Sequence, residues 1–288
     1  MGQARQTFER RQLGLALRRF REDAHKSQLV SAEVLGKVRS VIVALEDGSA
    51  TATPEELELL LDFYGVTGKD RKTTLILGDV ARKRQKRRTH IDALPDAYQR
   101  FADLERNASE INCHEAGIIP GLLQCEDYVR SLMAEGEGVW WEPDDPEGEE
   151  RLRFRLTRLA KLFDPGRPKI LRFVMTEDAL HARMDKLQTM RGQLEHILML
   201  IGQHKDLTVR VLPNDVYGNP LRGRNLVMFG FGHRGTPIGF SETAFGPSTY
   251  YDNEADTSDM LRAFYRAWEL SLTKTASHQL IERLYREM

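Results

Sequence analysis

Apolar residues in the first ninety positions recur at helical spacing, interrupted by tight breaks. Phe8, Leu13, Leu15, Leu17 and Phe20 give the apolar face of a first helix ending near Ala24. Ser27 is placed as the N-cap of a second helix running through Leu29, Ala32 and Leu35, and Gly36 ends it. After a turn of about three residues, Val38 to Glu46 forms a third helix that stops at Asp47-Gly48. Thr53-Pro54-Glu55 opens a fourth, with Thr53 as cap, Pro54 in the first position, and Leu57, Leu60, Leu61 and Tyr64 facing inward. A fifth is expected from about Lys69 to Thr89, ending in the basic run from Arg82 to Arg88.

Helical spacing continues from Asp92 to Leu132, broken at Pro120-Gly121. Residues 135–150 are acidic and rich in glycine and proline, which predicts a mobile loop. Trp140-Trp141 within it is either a binding patch or, more simply, an anchor onto the domain core. Arg151 to Phe163 resumes helical spacing, and then the pattern changes. Ile170 to Val174 reads as a strand, Glu177 to Met184 as a short helix, and Thr189 to His204 as a longer one. Leu207 to Leu212 alternates as a strand does, and Asn225–Phe231 and Pro237–Thr243 predict two more, joined by Gly232–Gly235. Helices over Glu254–Thr273 and Ser277–Met288 close the chain. The expected class is α+β: an all-α domain over 1–88 followed by a larger mixed α+β domain over 89–288.

Charge refines this division. The chain of 288 residues has 42 basic and 43 acidic side chains, yet residues 1–90 hold 18 basic against 12 acidic, a net +6 that leaves −7 for the rest. A basic head on an acidic body points toward an anionic partner for the head, or toward nothing more than solvated charge. Two cysteines, Cys113 and Cys125, make neither a disulfide framework nor a zinc site. The start MGQARQTFERRQ holds no signal-peptide stretch, and Gln6 stands where a myristoylation pattern wants Ser or Thr. With no run of ~18 apolar residues, a cytoplasmic protein with no membrane contact is expected.

Candidate chemistry thins out on inspection. Gly230-Phe-Gly232-His-Arg-Gly235 spells the dinucleotide fingerprint, but that device needs a helix to follow, and here a strand follows. Glu177 and His181 lie four apart on an expected helix; no further pair completes a metal site, so a surface ion pair is the better reading. Neither a phosphate-binding loop nor a nucleophile elbow occurs. No catalytic residue, metal ligand or cofactor is expected, and the chain is not read as an enzyme.

One pattern holds over thirty residues. Ser27-Gln28, Ala32, Leu35-Gly36, Ile42, Leu45-Glu46, Gly48 and Pro54 fall at offsets that resemble the lambda-repressor/Cro-like (Xre) helix-turn-helix family. Small Ala32 suits the crossing of the two motif helices, Gly36 the turn between them, and Ile42 and Leu45 the core side of the second helix. Further on, Glu115, the run Ile119-Pro120-Gly121-Leu122-Leu123-Gln124 and Tyr128 resemble the large C-terminal domain that follows such motifs in actinomycete WhiJ-like, antitoxin-like regulators. The resemblance implies transcriptional control, binding to double-stranded DNA, a homodimer and a small companion protein. It places Gln28, Lys37, Arg39, Ser40, Val43 and Ala44 at the DNA, with Gln28 on a phosphate and Arg39 and Ser40 at base edges. It also pairs Arg21 with Glu46 as a structural ion pair. The chain departs from the family in having Val38 where Ser or Thr caps the recognition helix, Val43-Ala44 in place of Ser-Arg, and Leu29-Val30-Ser31 in place of Glu-Glu-Leu. These apolar replacements sustain an alternative: a protein-interaction module whose degenerate helix-turn-helix no longer reads DNA and docks a partner through Val38, Val41 and Val43.

Overall fold

A computed structural model describes residues 6–83, 89–142, 145–243 and 246–288. The chain divides into two units, one made of Met1–Ala108 and Phe229–Thr257, the other of Ser109–Met228 and Ser258–Met288. The architecture is α+β.

In the first unit, five helices follow one another: α1 (Phe8–Asp23), α2 (Gln28–Val34), α3 (Arg39–Glu46), α4 (Pro54–Phe63) and α5 (Gly68–Arg82). Local chemistry sets most of their starts. The hydroxyl of Thr7 accepts from Arg10 N, and that of Ser27 from Val30 N. Thr53 and Glu56 form a reciprocal capping box with Pro54 in the first turn of α4. Gly36 closes α2 with φ at +63°, a conformation that costs a side-chain-bearing residue about 1 kcal/mol or more. Leu13, Ala16, Leu17 and Phe20 of α1 meet Ala32, Ile42, Leu45, Leu57, Leu60, Leu61 and Leu77 in one buried core. The unit is completed by β1 (Thr89–Ile91), α6 (Ala97–Asn107), β6 (Ile238–Ser241) and β7 (Thr249–Tyr251). β7 pairs antiparallel with both β1 and β6, setting Tyr251 opposite Thr89 and Gly239.

One expectation is corrected here. The fifth helix stops at Arg82, and Thr89 belongs to a strand. The bulk of the basic run, Arg84 to Arg88, lies outside the described residues. As expected, the glycine-rich Gly230–Gly235 segment leads into a strand, passing through a single 3₁₀ turn (Gly232–Arg234) into β6 and not into a helix of the kind that binds pyrophosphate.

The second unit contains three parallel strands, β2 (Glu110–Glu115), β3 (Ile170–Thr176) and β4 (Leu207–Leu212), with β3 between the others. β2 stands where the sequence pattern predicted helix. Ile111, Asn112, Cys113 and His114 are all buried, so the alternation that marks a one-sided strand is missing. The crossovers carry α7 (Glu126–Gly136), α8 (Gly148–Leu162) and α9 (Leu187–Gln203), and α11 (Lys274–Glu287) packs on α9 and β4. β5 (Leu226–Gly230) and α10 (Glu254–Leu270) are the elements in which the chain passes from one unit to the other. Val174, Leu212, Leu221, Met228, Phe264 and Ala267 form the buried cluster beneath α10. The short helix at Glu177–Leu180 is 3₁₀, which stacks positions three apart and not four. Glu177 accordingly bonds the backbone N–H of Asn214, and no ion pair joins it to His181 among the described residues.

Candidate nucleic-acid interface

The turn from α2 to α3 leaves Val38 as the N-cap of α3, where it supplies no side-chain hydrogen bond. α3 turns Ile42, Leu45 and Glu46 inward, leaving Arg39 and Ser40 exposed and Val41, Val43 and Ala44 half-buried. Val43 and Ala44 are thus partly open, less so than Arg39 and Ser40. The carbonyl of Ala44 moreover closes the loop after the helix, accepting from the N–H groups of Ser49 and Ala50.

A linked set of polar contacts spans the two motif helices. Arg21 of α1 grips Glu46 through two hydrogen bonds, Nε to Oε1 at 2.5 Å and the second nitrogen to Oε2 at 3.0 Å. Both side chains are buried, and the bonds to Glu46 raise the guanidinium pKa above its ordinary value against the opposing effect of burial. Glu46 also accepts from Nε2 of Gln28 at 2.8 Å. A carboxylate only accepts, so the Gln28 amide must turn its NH₂ inward and its oxygen outward. That oxygen receives Arg39 Nε at 3.2 Å and a terminal nitrogen at 3.0 Å. Gln28 and Arg39, the first residues of α2 and α3, are therefore joined to each other. The far edge of the Arg39 guanidinium remains directed away from the amide that holds it. Lys37, in the turn, bonds the Glu56 carboxylate that caps α4, and lies apart from this set.

The position of α3 depends on α1. A Cβ at Gly14 would lie 2.3 Å from the carbonyl oxygen of Leu45 and 2.6 Å from that of Glu46, so only glycine permits this approach. The opposite face of α1 is polar and still buried. Glu9 meets Nδ1 of His90 at 2.6 Å, and Asp252 meets Nε2 at 3.0 Å. Asp252 also accepts the backbone N–H of Phe8, at the first turn of α1. Burial works against the charged imidazole, but the bonds to Asp252 and Glu9 outweigh it and raise the His90 pKa to about 9. Further along, Gln12 donates to Asp92, which Arg100 grips from α6, and Arg19 pairs with Asp103. Sequence reasoning missed this second face. Its only trace was polar residues at helical spacing, Glu9, Gln12 and Arg19, which solvent exposure would explain equally well.

Among the described residues no group of three or more His, Cys, Asp or Glu is arranged to hold a metal ion. No helix among them is long and apolar enough to cross a membrane.

Two packed helices joined by a glycine turn, with an arginine held at the outer start of the second, define a helix-turn-helix DNA-binding regulator, and a family model described as a helix-turn-helix domain matches residues 12–73. Over residues 98–283 the chain belongs to the family described as a domain of unknown function (DUF5753). No curated protein and no solved structure matches it.

Proposed function

We propose that this protein is a sequence-specific transcription regulator of the Xre type, acting in the cytoplasm as a homodimer on double-stranded DNA and paired with a small companion protein. Residues 1–88 read DNA in this account, and residues 89–288 join the two copies and take the companion. It is not an enzyme and uses no cofactor. The observation that carries the reading is the Gln28–Arg39 contact, which holds a long, charged donor at the exposed start of α3. An arginine so placed suits guanine O6 and N7, a pairing worth ~1–3 kcal/mol of discrimination. Ser40 adds a short donor or acceptor beside it, Lys37 adds attraction for phosphate, and Val43 and Ala44 offer apolar contact to a thymine methyl. The Gln28 amide holds Arg39 through its oxygen and Glu46 through one N–H, and in this account its second N–H goes to a phosphate. The test is selection of duplexes from a random pool by the wild-type protein, repeated with Arg39→Ala.

The second reading, a partner-docking motif that no longer reads DNA, is favoured by one observation. Leu29, Val30 and Val38 are 55%, 42% and 69% exposed around the same helix starts. Val38→Asp separates the two readings without harming the fold, because aspartate is a good N-cap. A carboxylate there opposes DNA phosphates under the first reading and enters an apolar contact under the second. Loss of DNA binding with companion binding retained supports the first, and the reverse supports the second.

A further inference from the structure

The pairing of the parallel strands places three side chains in one row. His114 of β2 lies opposite Val174 of β3, and Val174 opposite Arg210 of β4, so all three point to the same face of the sheet. α10 packs on that face. Val174 shares its buried cluster with Phe264 and Ala267. The Arg210 guanidinium lies 4.1 Å from the Trp268 ring centre, and its Nη1 donates to the Trp268 carbonyl at 3.0 Å. Both polar members of the row have an enclosed nitrogen that meets no hydrogen-bond partner among the described residues, Nε2 of His114 and Nε of Arg210. Buried polar atoms are nearly always paired, so two orphans in one row beneath one helix call for a cause. His114 is 0% exposed.

The tautomer of His114 follows from its one hydrogen bond. Nδ1 lies 3.0 Å from the carbonyl oxygen of Arg224, which can only accept, so Nδ1 carries the proton and Nε2 is a bare lone pair. A second proton, at Nε2, creates an enclosed N–H without an acceptor and a charge inside an apolar cluster. No carboxylate among the described residues offsets that charge. Arg210, in the same row, has the same sign and forms no ion pair among them. Along β2, Cys113 and Glu115 point to the opposite face, and Glu110 lies four residues back, ~13 Å at the strand rise. Glu110 is moreover held by Arg172 of β3 and by the Tyr265 hydroxyl of α10. On α10, Asp259 and Glu269 sit at exposed positions beside Arg262 and Arg266. β5 bears no titratable residue. Between β4 and β5, Asp215, Arg222 and Arg224 are exposed, and Arg224 meets His114 through its carbonyl alone. Burial, only partly offset by the Arg224 bond, therefore holds the imidazole pKa below its ordinary 6.5.

We propose that His114 is a proton-operated latch for α10. Neutral, it lets α10 seat on the sheet. Protonated, it can satisfy neither its charge nor its new N–H there, and α10 lifts until the imidazolium reaches water. Arg210, bound to the last turn of α10 through Trp268, adds repulsion between like charges beneath that helix. The seated form excludes the proton and the released form accepts it. Seating is therefore complete above pH 6.5 and weakens as the pH falls below that value. The device is separate from α2 and α3 and stands whether or not those helices read DNA.

The test is hydrogen exchange of the full-length protein at pH 7.5 and pH 5.5, at constant ionic strength and with rates corrected for the intrinsic effect of pH. A group that titrates at 6.5 when released, and stays neutral when seated, makes release about tenfold more frequent at the lower pH. Protection of the α10 amides should fall by about that factor, while that of the β3 amides stays level. His90, with a pKa of about 9, keeps its proton throughout this window and takes no part. His114→Asn retains a donor for the Arg224 carbonyl but cannot gain a charge, and should abolish the fall. His196→Gln removes a second imidazole whose Nε2 is enclosed without a partner, on α9, and should leave the fall unchanged. In wild type the ring resonances of His114 should keep the neutral Nδ1–H form at pH 5.5 in the seated molecules, and this reading decides the matter should His114→Asn fail to fold. Level α10 protection in wild type, a fall that persists in His114→Asn, or a fall shared equally by β3 overturns the latch. So does a His114 ring that titrates near 6.5 while α10 stays protected.

Discussion

His90 is the group whose titration most directly reports how α1 is held. It lies 4% exposed between two carboxylates, and its pKa is raised from 6.5 to about 9. A raised pKa means that the folded protein keeps a proton that the unfolded chain releases. The stabilisation is therefore complete below the unfolded value, declines as pH rises above it, and is gone once pH has passed the folded value. A difference of about 2.5 units at ~1.36 kcal/mol each gives on the order of 3 kcal/mol. Urea denaturation between pH 6 and pH 9.5, compared with His90→Gln, isolates this contribution. The wild-type advantage should shrink by roughly that amount across the window. A difference that stays level, or grows with pH, refutes the claim that an imidazolium bridges Glu9 and Asp252. Imidazole resonances titrating near the ordinary value would refute it independently.

Three further predictions concern the frame of α3. Glu46→Gln leaves the buried Arg21 with only the more distant Glu22 as counter-charge and should cost about 3 kcal/mol, the lower end of the usual range, because Arg21 also keeps its bond to the Lys26 carbonyl; an unchanged denaturation midpoint contradicts this. Gly14→Ala drives a methyl against the Leu45 and Glu46 carbonyls and should destabilise by ~1–3 kcal/mol despite alanine's better helix propensity, so a rise in melting temperature counts against the packing described. Val38→Ser supplies the missing cap of α3 and should stabilise by ~1 kcal/mol, measured by the same denaturation; a loss of stability means the helix does not begin at Arg39.

The helical half of the molecule was legible because its signals are local. Ser27, Gly36 and the Thr53-Pro54 pair act within one turn of where they stand, and α2 through α4 begin and end within a residue or two of where those signals placed them. β4 coincides with the alternating Leu207–Leu212 run for the same reason. What escaped was long-range. β1 finds its partner β7 about 160 residues further along, and nothing near Thr89 announces that pairing. β2 escaped because burial on both faces erases alternation. At the interface, the sequence singled out Gln28 and Arg39 separately. That they bond each other follows from how Glu46 orients the Gln28 amide, which depends in turn on Arg21 reaching across from α1.

The central claim is that Arg39, held by Gln28 at the start of α3, reads a base. The measurement that tests it is enrichment of duplexes from a random pool by full-length wild type and by Arg39→Ala. The account predicts that wild type enriches two related half-sites, each with a strongly preferred guanine. Arg39→Ala should lose that preference by ~1–3 kcal/mol at one position per half-site while keeping the rest of the motif. If wild type enriches no sequence, or if Arg39→Ala enriches the same motif with the same guanine preference, Arg39 does not read DNA and the account fails at its centre.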